Sequence, residues 1–192
     1  MNLLYIAFSS SFAYFITKML YKRSNYIYIS TFIACLAGLI SYFAIYSDAL
    51  NNWVMSSHLY VTAMSITLLI IVSYEVFLLE WRVKKVKIGD FLDDIPFSIE
   101  RNYKTTFKLA GIGIMFLTLA LLSGFYITDI VTTEIQLKAL YTSISWLIYC
   151  SILIGTKYFN LKTKYAVRGL VFTLVFLLIA YMGNSYIFST IA

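Results

Sequence analysis

The chain of 192 residues is 61% hydrophobic and only 12% charged, about half of the roughly 25% charged residues typical of soluble domains. A soluble fold of this size needs more polar residues at its surface, and a disordered chain would contain far fewer apolar side chains. Two cysteines, Cys35 and Cys150, are too few for a disulfide framework or a four-cysteine metal site. The class that remains is a protein that crosses a membrane several times.

Six apolar stretches are long enough to cross a bilayer as helices, which takes about 20 residues each. Because backbone polar groups inside a bilayer must be paired internally, stretches of this length form helices. The sequence therefore predicts an all-α polytopic membrane protein, a single domain over 1–192 with a bundle of six transmembrane helices and an inner loop over 81–107. The predicted helices are Leu3–Leu20, Tyr26–Tyr46, His58–Leu79, Leu109–Ile127, Ala139–Thr156 and Gly169–Ser189.

The lysines and arginines alternate with these stretches. All 15 except Lys138 lie at the connections that follow the first, third and fifth stretches. Cytoplasmic loops of membrane proteins are enriched in Lys and Arg, so we expect those connections inside and both termini on the outer (periplasmic) side. The same alternation accounts for the net charge of +6, and we therefore expect no nucleic-acid partner.

Sequence signatures of catalysis are missing from the chain. It has no glycine-rich phosphate loop and no Cys-x-x-Cys pair, and its one histidine, His58, has no nucleophile motif beside it. A zinc site built from several histidines is therefore excluded. We expect neither enzymatic activity nor a metal site.

Two ionisable residues of the third stretch, His58 and Glu75, are the candidates for chemistry. His58 begins the stretch on the expected outer side, where an imidazole can ligate haem iron, exchange protons or simply hydrogen-bond to water. Glu75 lies about one turn from the inner end, within reach of basic residues there. Intramembrane carboxylates are often functional, but this position predicts a structural ion pair in place of an ion pathway.

Four segments follow one another in a fixed order from Trp53 onward. They are WVMSSHLYVTAMSITLL, IPFSIERNYKTTFKLAGIGIMFLTLALLSGFY with a GxxxLTxxLxxG pattern, LKALYTSISWLIYCSILIG with a WLxY pattern, and TKYAVRGLVFTLVFLLIAYMGNSYI with a basic turn and an aromatic-x-Gly end. Together they resemble the cytochrome c assembly family, in its branch of HemX-like and YpjD-like integral inner-membrane proteins. The resemblance covers roughly two thirds of the chain.

The resemblance implies a multi-pass protein of the bacterial inner (cytoplasmic) membrane that acts in haem handling or cytochrome c maturation. His58 matches the family's outer-side haem ligand, so haem is the implied cofactor. The implied partners are the lipid bilayer and other cytochrome c maturation proteins.

The chain also departs from the best-understood family members. Its outer loop ITDIVTTEIQLK contains no tryptophan and matches the family only at Lys138, no second outer histidine follows, and about two N-terminal helices of eight-helix members are missing. Since HemX-like and YpjD-like members also lack the Trp-rich motif, we expect a non-catalytic accessory in place of haem delivery itself.

Two other functions stay open at this point: a permease-like membrane subunit of a transport system, and a structural or regulatory partner of another membrane complex. A self-sufficient transporter is disfavoured because the only proline, Pro96, lies outside the apolar stretches and no charge lies at their middle. A scaffold subunit of a transport system is not disfavoured by either observation.

Overall fold

The structure is a computed structural model that describes residues 2–20, 27–46, 53–88, 99–127 and 133–183. These residues form helices and no strand, and a single π-helical turn, Ile179–Gly183, continues the last helix. The helices are α1 (Asn2–Leu20), α2 (Ile27–Tyr46), α3 (Trp53–Lys87), α4 (Ile99–Ile127), α5 (Thr133–Tyr158) and α6 (Thr163–Leu178).

All six helices are long and apolar enough to cross a membrane. This confirms the predicted all-α architecture with six candidate membrane spans. The predicted end of the sixth span, at Ser189, lies outside the described residues.

The described residues at the two ends of the predicted inner loop over 81–107 are helical. α3 continues through Arg82 to Lys87, and α4 already begins at Ile99. Lys, Arg and Glu are good helix formers, so a helix need not end where its apolar stretch ends. The sequence also suggests a helix start near Pro96, because acidic residues and proline favour the first turn of a helix, but this segment lies outside the described residues.

Helices that are consecutive in the chain run antiparallel. Trp146 and Tyr149 of α5, for example, meet Thr118 and Gly113 of α4 in reverse chain order. The C-terminal turns of α1, α3 and α5 therefore lie at one end of the bundle. We call it the basic end because it carries Lys18, Arg82, Lys84 and Lys157.

α3 is the central helix of the bundle and packs against α1, α2, α4 and α6. In its membrane-spanning part 67% of residues are buried, against 22% to 33% in the other five spans. The run from Thr62 to Leu69 is buried at every position. A helix that is apolar on all sides is expected in the interior, whereas the other five helices expose one face to lipid.

Hydrogen bonds of hydroxyl and indole groups connect the helices around α3 to one another. Ser9 Oγ of α1 and Ser41 Oγ of α2 are 2.9 Å apart, and Trp146 Nε1 of α5 donates to Thr118 Oγ1 of α4 at 2.8 Å. Ser145 of α5 donates to a backbone carbonyl of α6. Hydrogen bonds of this kind stabilise helix pairs where lipid offers no partner.

Candidate functional site

His58 lies in the second turn of α3, at the end of the bundle opposite the basic end, and is half-buried. Its Nδ1 atom is 2.8 Å from the Oγ atom of Ser123, near the C-terminus of α4. The antiparallel packing of α3 and α4 brings the two residues together although 65 positions separate them. No sequence pattern could have shown this pairing.

The hydrogen bonds of Ser123 define the state of the imidazole. Its hydroxyl donates to the backbone carbonyl of Leu119 at 2.7 Å, with the carbonyl of Ala120 at 3.2 Å. A serine hydroxyl has one proton to donate, so a hydroxyl directed at Leu119 accepts from His58 and favours the tautomer with the proton on Nδ1. In that tautomer Nε2 carries the lone pair, and the backbone of Ala120 also hydrogen-bonds to the imidazole.

Gly124 makes the space for the ring. A Cβ atom at this position would lie 3.3 Å from His58 Cε1, so any side chain would press on the imidazole. α4 therefore supplies a hydrogen-bond acceptor at Ser123 and room for the ring at the next residue. An imidazole whose Nδ1 is held by a hydrogen bond is the arrangement common among metal-ligating histidines.

His58 is the one histidine of the chain, and so the one imidazole that could ligate haem iron. Met55 is the nearest sulfur donor along α3, but it lies three positions before His58 and so on the same helix face, whereas axial ligands approach iron from opposite sides. Within the described ranges, no group of three or more His, Cys, Asp or Glu residues could hold a metal ion.

Glu75 forms a separate cluster near the basic end of α3. It is only 3% exposed, and its Oε1 atom accepts a hydrogen bond from Tyr14 Oη at 2.7 Å and forms an ion pair with Lys18. The Lys18 Nζ atom also lies 5.7 Å and 5.5 Å from the ring centroids of Tyr14 and Tyr74. The predicted pairing of Glu75 with a basic residue is confirmed, but the partner lies in the last turn of α1 and not in a loop.

The structure does not bring His58 and Glu75 together. They are 17 positions apart on one straight helix, which corresponds to about 25 Å. Sequence reasoning treated Lys18 only as loop charge and missed Tyr14 and Ser123. One signal was present for Lys18, since it lies inside the apolar stretch Leu3–Leu20 with Tyr14 one turn before it.

Residues of the family-like motifs contact one another between helices. Thr118 of the GxxxLTxxLxxG pattern accepts the hydrogen bond from Trp146 of the WLxY pattern. Gly113 of the first pattern faces Tyr149 of the second, where a Cβ atom would lie 2.7 Å from the tyrosine Oη. Gly124, the last glycine of the first pattern, faces His58.

Comparisons with models of protein families, with curated proteins and with solved structures find no significant match. The family resemblance therefore rests on the sequence motifs.

Proposed function

We propose that this chain is a non-catalytic membrane protein of the cytochrome c assembly family, with an accessory role in haem handling or cytochrome c maturation. The observation that carries the proposal is the position of His58, which is half-buried near one end of the bundle with its Nδ1 held by Ser123. The contacts between motif residues on α3, α4 and α5 support it, because residues of the different motifs pack against one another in the bundle.

Three residues would act together to hold haem. His58 supplies the axial nitrogen, Ser123 keeps its proton on Nδ1, and Gly124 leaves room for the ring. Haem held in this way would supply an iron centre whose properties depend on its axial ligand and its surroundings. With one protein ligand, we expect weak binding that is easily lost during purification, unless His58 of a second copy completes the coordination.

The test is a titration of the purified protein in mild detergent with haemin, followed by visible absorption. We expect wild-type protein to shift the Soret band and His58→Ala to abolish the shift while remaining folded. Met55→Leu is the matched control. Because Met55 shares a helix face with His58, it cannot be the second axial ligand, and the spectrum of this variant should equal that of wild type.

Two outcomes would overturn the proposal. An unchanged Soret shift in His58→Ala would show that the ligand assignment is wrong. Transport subunits co-purifying with wild-type protein that shows no haem absorption would favour a membrane subunit of a transport system.

We also propose that the basic end faces the cytoplasm, which places His58 on the outer side of a bacterial inner membrane. A reporter active only in the cytoplasm should be silent when fused after Ala192 and active when inserted near Gly89. The basis is that, in the sequence, every lysine and arginine except Lys138 falls in or beside the connections that follow the first, third and fifth apolar stretches. An active reporter after Ala192 would contradict the orientation.

A further inference from the structure

A groove of about 530 Å³ lies between α1 and α3 on the lipid-facing surface of the bundle. Its walls are mainly aromatic and aliphatic, with Phe8, Phe12 and Phe15 from α1 and Ile70 from α3. Phe8 and Phe12 are 56% and 66% exposed, so the groove is open along its side. Such a surface matches a hydrocarbon chain better than a polar ligand.

Cationic groups lie at the end of this groove that faces the basic end. The Phe15 ring packs edge-on against the Tyr74 ring, with centroids 4.8 Å apart. The Lys18 ammonium lies over the same Tyr74 ring. Arg82 follows Glu75 by seven positions, two helical turns, and so lies on the same face of α3. Its charge acts on both Lys18 and Tyr74.

Among the described residues at this end of the groove, basic groups outnumber carboxylates. Lys18 is paired with Glu75, whereas half-buried Arg82 has no carboxylate partner within the part of the chain that the structure describes. The trio of Lys18, Arg82 and Glu75 therefore carries a net charge of about plus one. A guanidinium in this position is suited to a phosphate group, to which it can donate two parallel hydrogen bonds.

The spacing of the two features matches a phospholipid. Lys18 and Phe8 are ten residues apart on α1, or about 15 Å along the helix axis, and one leaflet of the hydrocarbon core is also about 15 Å thick. We propose that the seam between α1 and α3 binds one anionic phospholipid from the leaflet at the basic end. Its phosphate contacts Arg82 and Lys18, and one acyl chain lies along Phe15, Phe12 and Phe8.

Native mass spectrometry in mild detergent tests this site with dioleoyl phosphatidylglycerol as the probe. We expect wild-type protein to retain one lipid, and Arg82→Gln to bind it roughly tenfold more weakly, the loss typical of one charge-assisted hydrogen bond. Lys157→Gln is the matched control, because it removes an exposed charge at the same end but on α5. It should bind the lipid as wild type does.

Two further ligands separate the head group from the acyl chain. Dioleoyl phosphatidylcholine should bind at least several-fold more weakly, since its head group has no net charge, and glycerol 3-phosphate at equal concentration should not compete. Equal binding of the two lipids, or equal losses in Arg82→Gln and Lys157→Gln, would overturn the proposal. Full competition by glycerol 3-phosphate would also overturn it, because the groove would then contribute nothing.

Discussion

Glu75 and His58 lie towards opposite ends of α3, and the two residues differ in their burial and in their partners. At the basic end, Glu75 is 3% exposed and is closed off by the ammonium of Lys18 and the hydroxyl of Tyr14, both from α1. At the opposite end, His58 is half-buried and makes one side-chain hydrogen bond, to Ser123 of α4.

The difference separates a structural residue from one that is available for binding. A buried carboxylate must keep its cation, because an unpaired charge in a medium of low dielectric is costly. A half-buried imidazole can stay neutral and imposes no such demand, and Ser123 holds only one of its two nitrogens. We therefore expect changes near Glu75 to affect stability and changes near His58 to affect binding.

The largest effect should follow from breaking the Glu75–Lys18 pair. Glu75→Ala or Lys18→Ala should lower the free energy of unfolding by about 3 kcal/mol, since each leaves a buried charge without its partner. The double variant Lys18→Met/Glu75→Leu should recover most of this loss. Unfolding titrations with sodium dodecyl sulfate in mixed micelles measure all three variants against wild type.

The pair Glu80–Lys84 provides the control for this comparison. Its atoms are 3.1 Å apart, but Lys84 is 66% exposed, so Glu80→Ala should cost no more than about 0.5 kcal/mol. Glu75→Gln should lie between the extremes, because the amide oxygen still accepts from Tyr14, and its function should be nearly that of wild type. Loss of function in Glu75→Gln at normal protein levels would instead indicate an ion pathway.

Tyr14→Phe should have an intermediate effect at the same end of α3. It removes the 2.7 Å hydrogen bond to Glu75 Oε1 and leaves the ion pair with Lys18 in place. A hydrogen bond to a charged group contributes about 1.5 kcal/mol or more, so the same unfolding titration should show roughly half the loss of Glu75→Ala. A loss as large as that of Glu75→Ala would mean that Lys18 contributes little.

Ser123→Ala should have the smallest effect on stability, about 1 kcal/mol, and a distinct effect on the imidazole. Because His58 is the only histidine, ¹⁵N-histidine labelling gives one imidazole spectrum. We expect wild type to show a protonated Nδ1 and an unprotonated Nε2, and the variant to show a mixture of tautomers. A wild-type spectrum in which Nε2 carries the proton would contradict the proposed ligand geometry.

The sequence predicted the membrane class and the helices well because both depend on local composition. A stretch such as Leu109–Ile127 must be helical in a bilayer whatever its neighbours are, and α4 indeed contains it. The helices extend into both ends of the predicted inner loop, because helix ends depend on packing and backbone hydrogen bonds as well as on apolarity. Arg82 belongs to a helix for that reason.

The candidate site was only partly accessible from the sequence. The chain's single histidine and the carboxylate inside an apolar stretch identify His58 and Glu75 directly, because such residues are rare there. Their partners are 65 and 57 positions away, at Ser123 and Lys18, on helices whose neighbours and rotations no local pattern specifies. The sequence thus determined which residues need partners in a membrane, while the packing of α1 and α4 against α3 decided that Glu75 is paired with Lys18 and that His58 is held by Ser123.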